Sequence, residues 1–283
     1  ERAIMGDNTD IYCPQYPGVK TLENYAAKRQ PKTMISSEYS HAMGNSNGNL
    51  VDLWEVIYKE GNDQLQGGYI WDWIDQALVK KADDGKEFWA YGGDYGENMP
   101  SDNNFVCNGI ISADYTPHPA MWEVKYAYQY VRFEETEQGY KISNFHDFID
   151  LSDYEISWSV SGNGVKKWGG TLDGFNLKPH ESKITPIPMP MIAAEPGVEY
   201  FIDFSVKLKK DKPFRKAGFE VAHDQFKMNL FAEKPNSDEE LPALKLIEQK
   251  EIYSIAGENF NIEFNESRSD LNGRSTLAQE KNN

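Results

Sequence analysis

Residues 49–60, NLVDLWEVIYKE, place Leu50, Leu53, Trp54, Ile57 and Tyr58 at offsets of three and four. That spacing turns one apolar face and predicts a helix, with Asn49 as its cap and Gly61 as its stop. The same spacing predicts helices over residues 22–29 and over residues 120–131, the latter opened by Pro119. Short apolar runs at residues 10–13, 33–37 and 65–73 alternate with these helical patterns. Strand then helix, repeated about three times, is how parallel β/α units read.

Beyond Arg132 the period changes to two, in YEISWSV (residues 154–160), VEYFIDFSVKL (198–208) and AGFEVAHDQFKM (217–228). Turn signals at Gly162-Asn163-Gly164 and Asp173-Gly174 separate such runs. About seven short strands over some 100 residues predict an antiparallel β-sandwich of immunoglobulin or fibronectin type. Pro186, Pro188 and Pro190 mark an edge or a connector, because proline cannot donate to a central ladder. Residues 233–243 read as a polar linker, and further strand-like runs follow at residues 244–255 and 260–264. The polar run after them is too short to finish a domain, so residues 244–283 are expected to open a further one.

Composition narrows the functional classes. Of 283 residues, 29 are Lys or Arg and 45 are Asp or Glu, a formal net charge of −16. Such a surface repels phosphate backbones and anionic lipid, so neither nucleic acid nor a membrane is expected as a partner. No apolar run approaches the about 18 residues of a membrane span, and the N-terminal residues lack a signal-peptide pattern. The chain reads as soluble, cytoplasmic or periplasmic. Cys13 and Cys107 are too few for a disulfide framework or a zinc cluster and are expected to be buried thiols. Five of seven Trp and twelve of sixteen Tyr fall between Tyr12 and Tyr130, which puts the aromatic weight on the β/α half. A closed eight-unit barrel takes about 250 residues. Three units alone form an open parallel sheet with apolar edges, expected to be sticky or partly ordered by itself.

In β/α barrels reactive side chains stand at the C-terminal ends of strands, and two ends draw attention. MISSEYSHAMGNSNGN leads from small and apolar residues to Glu38 and His41, and LQGGYIWDW leads from two glycines to Trp71, Asp72 and Trp73. A carboxylate at a strand end suits attack on an anomeric carbon, and an indole face suits the C–H groups of a sugar ring. From the residues alone a lone glutamate at a strand end is more often structural than catalytic, His41 reads as well as a loop residue bonded to backbone, and core packing is the better reading of Trp71 and Trp73.

SEYSHAMGNSNG, LQGGYIWDWIDQAL, YGGDYGENMPSDNNFVCNGI and ADYTPHPAMWEVK, in this order and spacing, closely resemble the second half of the catalytic barrel in β-galactosidases of glycoside hydrolase family 2. The resemblance spans residues 10–130. It implies an α/β plus all-β chain: the C-terminal portion of a (β/α)8 TIM barrel over residues 1–131, an immunoglobulin-like β-sandwich over 132–243, and the start of a C-terminal β-domain over 244–283. It also implies a retaining glycosidase acting on terminal β-galactosides, with Glu38 as nucleophile. His41 would bond a ring hydroxyl, Trp71 would wall the galactose pocket, and Asp102 would help to shape the site. Asn108 and the Phe105 carbonyl would bind a sodium ion that touches the sugar. The HAMGN sequence favours galactosidase over the family's β-glucuronidases and β-mannosidases. The family's acid/base glutamate, its magnesium ligands and the tyrosine that supports the nucleophile are all expected upstream of Glu1. The chain is therefore expected to need the N-terminal half of the enzyme for turnover, and family members are often homo-oligomers. The competing reading is a carbohydrate-binding or scaffold module, in which Trp158 and Trp168 offer a sugar platform unless they pack in the core.

Overall fold

The apolar runs of the first 130 residues become a parallel array. In the computed structural model, which describes residues 7–59, 61–233, 242–267 and 270–275, β1 (Met34–Tyr39) and β2 (Leu65–Ile70) pair in parallel. On one side of β1, Tyr12 and Gln15 bridge in parallel to Met34 and Glu38. Beyond β2 the chain continues beside residues 108–111, through Asp72 N–H to the Asn108 carbonyl (2.8 Å) and Ile110 N–H to the Asp72 carbonyl (2.9 Å). Four strand segments thus lie side by side where the pattern predicts three. The fourth begins at Asn108-Gly109, a pair that reads as a turn in the sequence.

Three helices of eight residues each cover the array, and all are shifted or shortened relative to the pattern. α1 spans Val19–Ala26, α2 Leu50–Ile57 and α3 Ala120–Ala127. Asn49 does precede α2, yet it lies in the left-handed region (φ 54°) and makes no side-chain capping bond. α2 also ends before Gly61. α3 stops at Ala127 because Val131 is already committed to a strand, and the Arg132 guanidinium bonds the Ala127 carbonyl (2.7 Å), satisfying the helix end. Met34, Leu50, Leu53, Leu65 and Ala127 form the core here. Behind β1 the Tyr39 hydroxyl bonds the Tyr128 hydroxyl and accepts the Trp54 indole N–H (3.0 Å), and burial pushes both phenols above their ordinary pKa. A hairpin of β3 (Leu78–Lys81) and β4 (Glu87–Ala90) and a 3-10 turn at Gly92–Tyr95 separate the third segment from the fourth.

The following seven strands are β5 (Val131–Thr136), β6 (Gly139–Asn144), β7 (Tyr154–Gly162), β8 (Val165–Leu172), β9 (Ser182–Thr185), β10 (Tyr200–Leu208) and β11 (Glu220–Lys227). They form two antiparallel sheets, ordered β5-β6-β9 and β11-β10-β7-β8. Alternation is strict where it matters: Ile156, Trp158 and Val160 on β7, and Ile202, Phe204 and Val206 on β10, are all buried. Phe133 stacks on Phe204 at 4.6 Å between ring centres, so the two sheets share one core. Trp158 is buried in that core with Trp168 packed against it, which removes the sugar platform. Pro186, Pro188 and Pro190 lie in the strand-free connector between β9 and β10.

The chain divides into two compact units, residues 1–194 with 198–231 and residues 195–197 with 232–283. In the second, β12 (Lys245–Gln249), β13 (Ile252–Ala256), β14 (Phe260–Asn265) and β15 (Asp270–Ser275) form an antiparallel meander. The apolar run at 244–255 is therefore two strands, folded at Lys250 (φ 54°). β15 comes from the polar run and joins through the backbone ladder. Most of the expected linker, residues 234–241, lies outside the described residues. The thiols depart from expectation as well: Cys13 is half-buried, and Cys107 is exposed because its loop runs along the rim of the strand ends. Among the described residues no helix is long and apolar enough to cross a membrane.

Candidate active site

Backbone hydrogen bonds set three strand ends and the start of the fourth segment in line. Tyr16 N–H donates to the Glu38 carbonyl (2.7 Å), Trp71 N–H to the Tyr39 carbonyl (3.3 Å) and Asp72 N–H to the Asn108 carbonyl (2.8 Å). Ala42 N–H then returns to the Trp71 carbonyl (2.8 Å), pinning the loop after β1 to the next strand end. Tyr16, Glu38 with His41, Trp71 and Asn108 are in this way delivered to one edge of the array by four different segments. Gly68 allows the approach of β1 and β2, since a Cβ there would stand 2.7 Å from the Ser36 Cβ. The Trp71–Asp72 peptide is cis.

Glu38 is half-buried and hydrogen-bonded to the Tyr16 side chain. Burial first, and then the bond to Glu38 and its negative charge, push the Tyr16 phenol up to about 12. It therefore stays a proton donor to Glu38 across the neutral range. A tyrosine that bonds Glu38 thus lies within the chain, where the sequence reading expects one only upstream of Glu1. Tyr16 was missed because its segment makes only isolated bridges. The available signal was its place just beyond the apolar run at residues 10–13, matching that of Glu38 beyond the neighbouring run.

Tyr16 leans toward the His41 ring, with centres 6.4 Å apart, and His41 stacks on Phe105 at 5.4 Å. His41 Nδ1 faces Ser46 Oγ (3.4 Å), while its buried Nε2 has no hydrogen-bond partner among the described residues. The same holds for Trp71 Nε1 and for both polar atoms of the Asn108 amide, although Asn108 is only 1% exposed. Buried polar atoms left open together are what a ligand with many hydroxyls can satisfy. Trp73 is 57% exposed, so the two tryptophans of this strand end do differ in environment.

Asp102 is placed less closely. It lies on an exposed loop that is tied down by its own N–H to the Tyr91 hydroxyl (2.9 Å) and by Phe105 N–H to its carbonyl (3.0 Å). Its backbone thus shapes the loop that brings Phe105 onto His41. An oxygen-seeking cation such as sodium fits the residues present, because the unpartnered Asn108 Oδ1 is a neutral oxygen donor. Among the described residues no group of three His, Cys, Asp or Glu side chains could hold a metal ion. A hollow of about 490 Å³ opens at the other end of the strands, lined in part by Trp54, Tyr58, Asn62, Leu65, Phe145 and His180. It shares none of the Glu38 group.

Residues 3–133 match the family model for the TIM barrel domain of glycosyl hydrolases family 2, and residues 140–229 match that for domain 4 of beta-galactosidase. The chain is similar to a Beta-galactosidase of Priestia megaterium, 37% identical over 271 residues, which takes in 93% of this chain and 25% of the relative. It is similar to one of Pseudoalteromonas haloplanktis, 33% identical over 91% of this chain and 27% of the relative. A third, from Halalkalibacterium halodurans, is 34% identical over 92% of this chain and 25% of the relative. The chain spans about a quarter of the length of these curated relatives. Two consecutive family models and relatives aligned along nine-tenths of its residues lead to one conclusion: the chain belongs to glycosyl hydrolase family 2.

Proposed function

We propose that the protein of which this chain is a part is a retaining β-galactosidase with Glu38 as its nucleophile. The Glu38 carboxylate attacks the anomeric carbon of a terminal, non-reducing β-D-galactoside, and the glycosidic oxygen leaves with a proton from a second carboxyl group. Water then cleaves the galactosyl ester, that second group now acting as base, and the configuration is retained. The Tyr16 hydroxyl orients Glu38 and stabilises it as the leaving carboxylate of the second step. His41 Nε2 and the Trp71 indole face the ring. Asn108 and the Phe105 carbonyl would hold sodium, which supplies positive charge beside the sugar hydroxyls. The four parallel segments are, on this reading, the last strands of a (β/α)8 barrel, followed by an immunoglobulin-type sandwich and the beginning of a further β-domain. The proton donor and the magnesium site come from other parts of the protein, so this chain alone does not turn over.

The observation that carries the reading is the Tyr16 phenol on a strand-end carboxylate, with the His41 ring 6.4 Å from that of Tyr16 and unpartnered polar atoms on His41, Trp71 and Asn108 of the backbone-paired segments. Galactose is favoured over glucuronate because the group of Tyr16, Glu38, His41, Trp71, Phe105 and Asn108 holds no Lys or Arg for a sugar carboxylate. In the full-length protein, a 2-deoxy-2-fluorogalactosyl fluoride should esterify Glu38, found by peptide mass. Glu38→Gln should lower turnover of a chromogenic β-galactoside by about a thousandfold or more. A label on another carboxylate, or faster cleavage of the matching β-glucuronide, would overturn the assignment.

A further inference from the structure

Asp75 lies four residues beyond Trp71 and is 7% exposed, a position in which a carboxylate needs several donors. It has them. Its Oδ1 accepts the Gly109 N–H at 2.8 Å, and its Oδ2 lies 2.8 Å from His118 Nε2. The Cys107 thiol also bonds this carboxylate. Cys107 and Gly109 are the two residues that flank Asn108, so one side chain grips the segment on both sides of the unpartnered amide. Asp75 N–H bonds the Ile111 carbonyl (3.0 Å) and Gln76 N–H the Val106 carbonyl (3.1 Å), which locks the register of the two segments. Gly109 is pressed against this strand: a Cβ there would meet Asp75 N at 2.3 Å. His118 completes the clamp, since its own N–H bonds the Ile110 carbonyl (3.1 Å) and it leads into α3.

We propose that Asp75 is the positioning residue of the site, its carboxylate holding Cys107, Gly109 and His118 together so that the Asn108 amide is aimed and kept in register with Trp71. The inference rests on the reading of Asn108 as a sugar- and sodium-binding residue. Asp75 touches no substrate; it acts through Asn108, as outer partners of ligating groups do. An aspartate here serves where an apolar residue would not, because the Gly109 N–H, buried against the strand, would otherwise lose its acceptor.

The test uses the full-length protein. Asp75→Ala removes both oxygens, whereas Asp75→Asn keeps one for Gly109 and sets its amide group opposite His118 Nε2. Asp75→Ala should raise both KM for a nitrophenyl β-galactoside and the sodium concentration for half-maximal rate by about tenfold or more, with a smaller fall in kcat. Asp75→Asn should bring both within about threefold of the parent. A crystal structure of Asp75→Ala should show the Asn108 amide displaced. Should Asp75→Ala fail to fold, His118→Ala removes one donor, leaves the carboxylate in place and should move the sodium requirement the same way. An unmoved Asn108 amide, or a fall in kcat with KM and sodium requirement unchanged in the variant that folds, overturns the proposal. A parent protein that cleaves no β-galactoside would instead sink the galactosidase reading, and the Asn108 position in the variant structure would still decide this one.

Discussion

Phe204 in the sandwich and Asn108 at the strand ends are equally buried, at 1% exposure each, yet their surroundings are opposite. Phe204 is ringed by Phe133, Tyr140 and Phe226, with ring centres 4.6, 4.9 and 6.1 Å away. Asn108 keeps two buried polar atoms with no partner among the described residues, and those of His41 and Trp71 lie in the same row of strand ends. Such atoms occur in the sandwich too, at Arg132, Trp158, Thr185 and His223, but each on a different strand, β5, β7, β9 and β11. One region has spent its sequence on closing a core. The other has left polar groups open on residues that backbone pairing brings to one edge, as functional sites do.

Four perturbations should break or sharpen this contrast. The largest is Phe204→Ala, which opens a cavity and should cost about 3–5 kcal/mol in denaturant unfolding. In the full-length protein, its kcat at a permissive temperature should hold. Tyr16→Phe should do the reverse: turnover falls about a hundredfold, ~2.7 kcal/mol in barrier, with the thermal midpoint unchanged. Gly68→Ala lies between, forcing β1 and β2 apart and costing about 1–3 kcal/mol with some loss of turnover. Alkali is the gentlest. Burial pushes Tyr58 and Tyr126 up to about 12 and also raises Tyr39 and Tyr128, whereas the sandwich holds Tyr140 and Tyr154 as raised phenols. Unfolded phenols ionise near 10 while these folded ones stay protonated, so their contribution is complete below pH 10 and is lost as pH rises toward 12. Near pH 11 each of the more buried phenols should give up about 1 kcal/mol. Hydrogen exchange should show the parallel strands losing protection before β7 and β10.

The sequence makes the sandwich strands legible because each alternates and each finds its partner close along the chain. The parallel array is harder to read. Glu38, His41, Trp71 and Asn108 stand out through the resemblance, but their meeting depends on pairings 30 or so residues apart that no local pattern encodes. Tyr16 escaped because its segment is too short for a strand signal, and residues 108–111 escaped because Asn-Gly ordinarily marks a turn. The β3-β4 hairpin did carry a signal, Asp84-Gly85 between apolar runs, that went unread. Asp75 could not be found from composition at all: a lone aspartate declares its role only when the donors around it are seen.

The anchor behind Glu38 is built of phenols and an indole rather than aliphatic side chains. Tyr39, adjacent to Glu38, is tied to Tyr128 and Trp54. That choice makes the segment optically addressable. Ultraviolet absorbance, and indole emission in a variant that keeps Trp54 and replaces the six other tryptophans, can follow the seating of the strand that carries Glu38, with no dye or label.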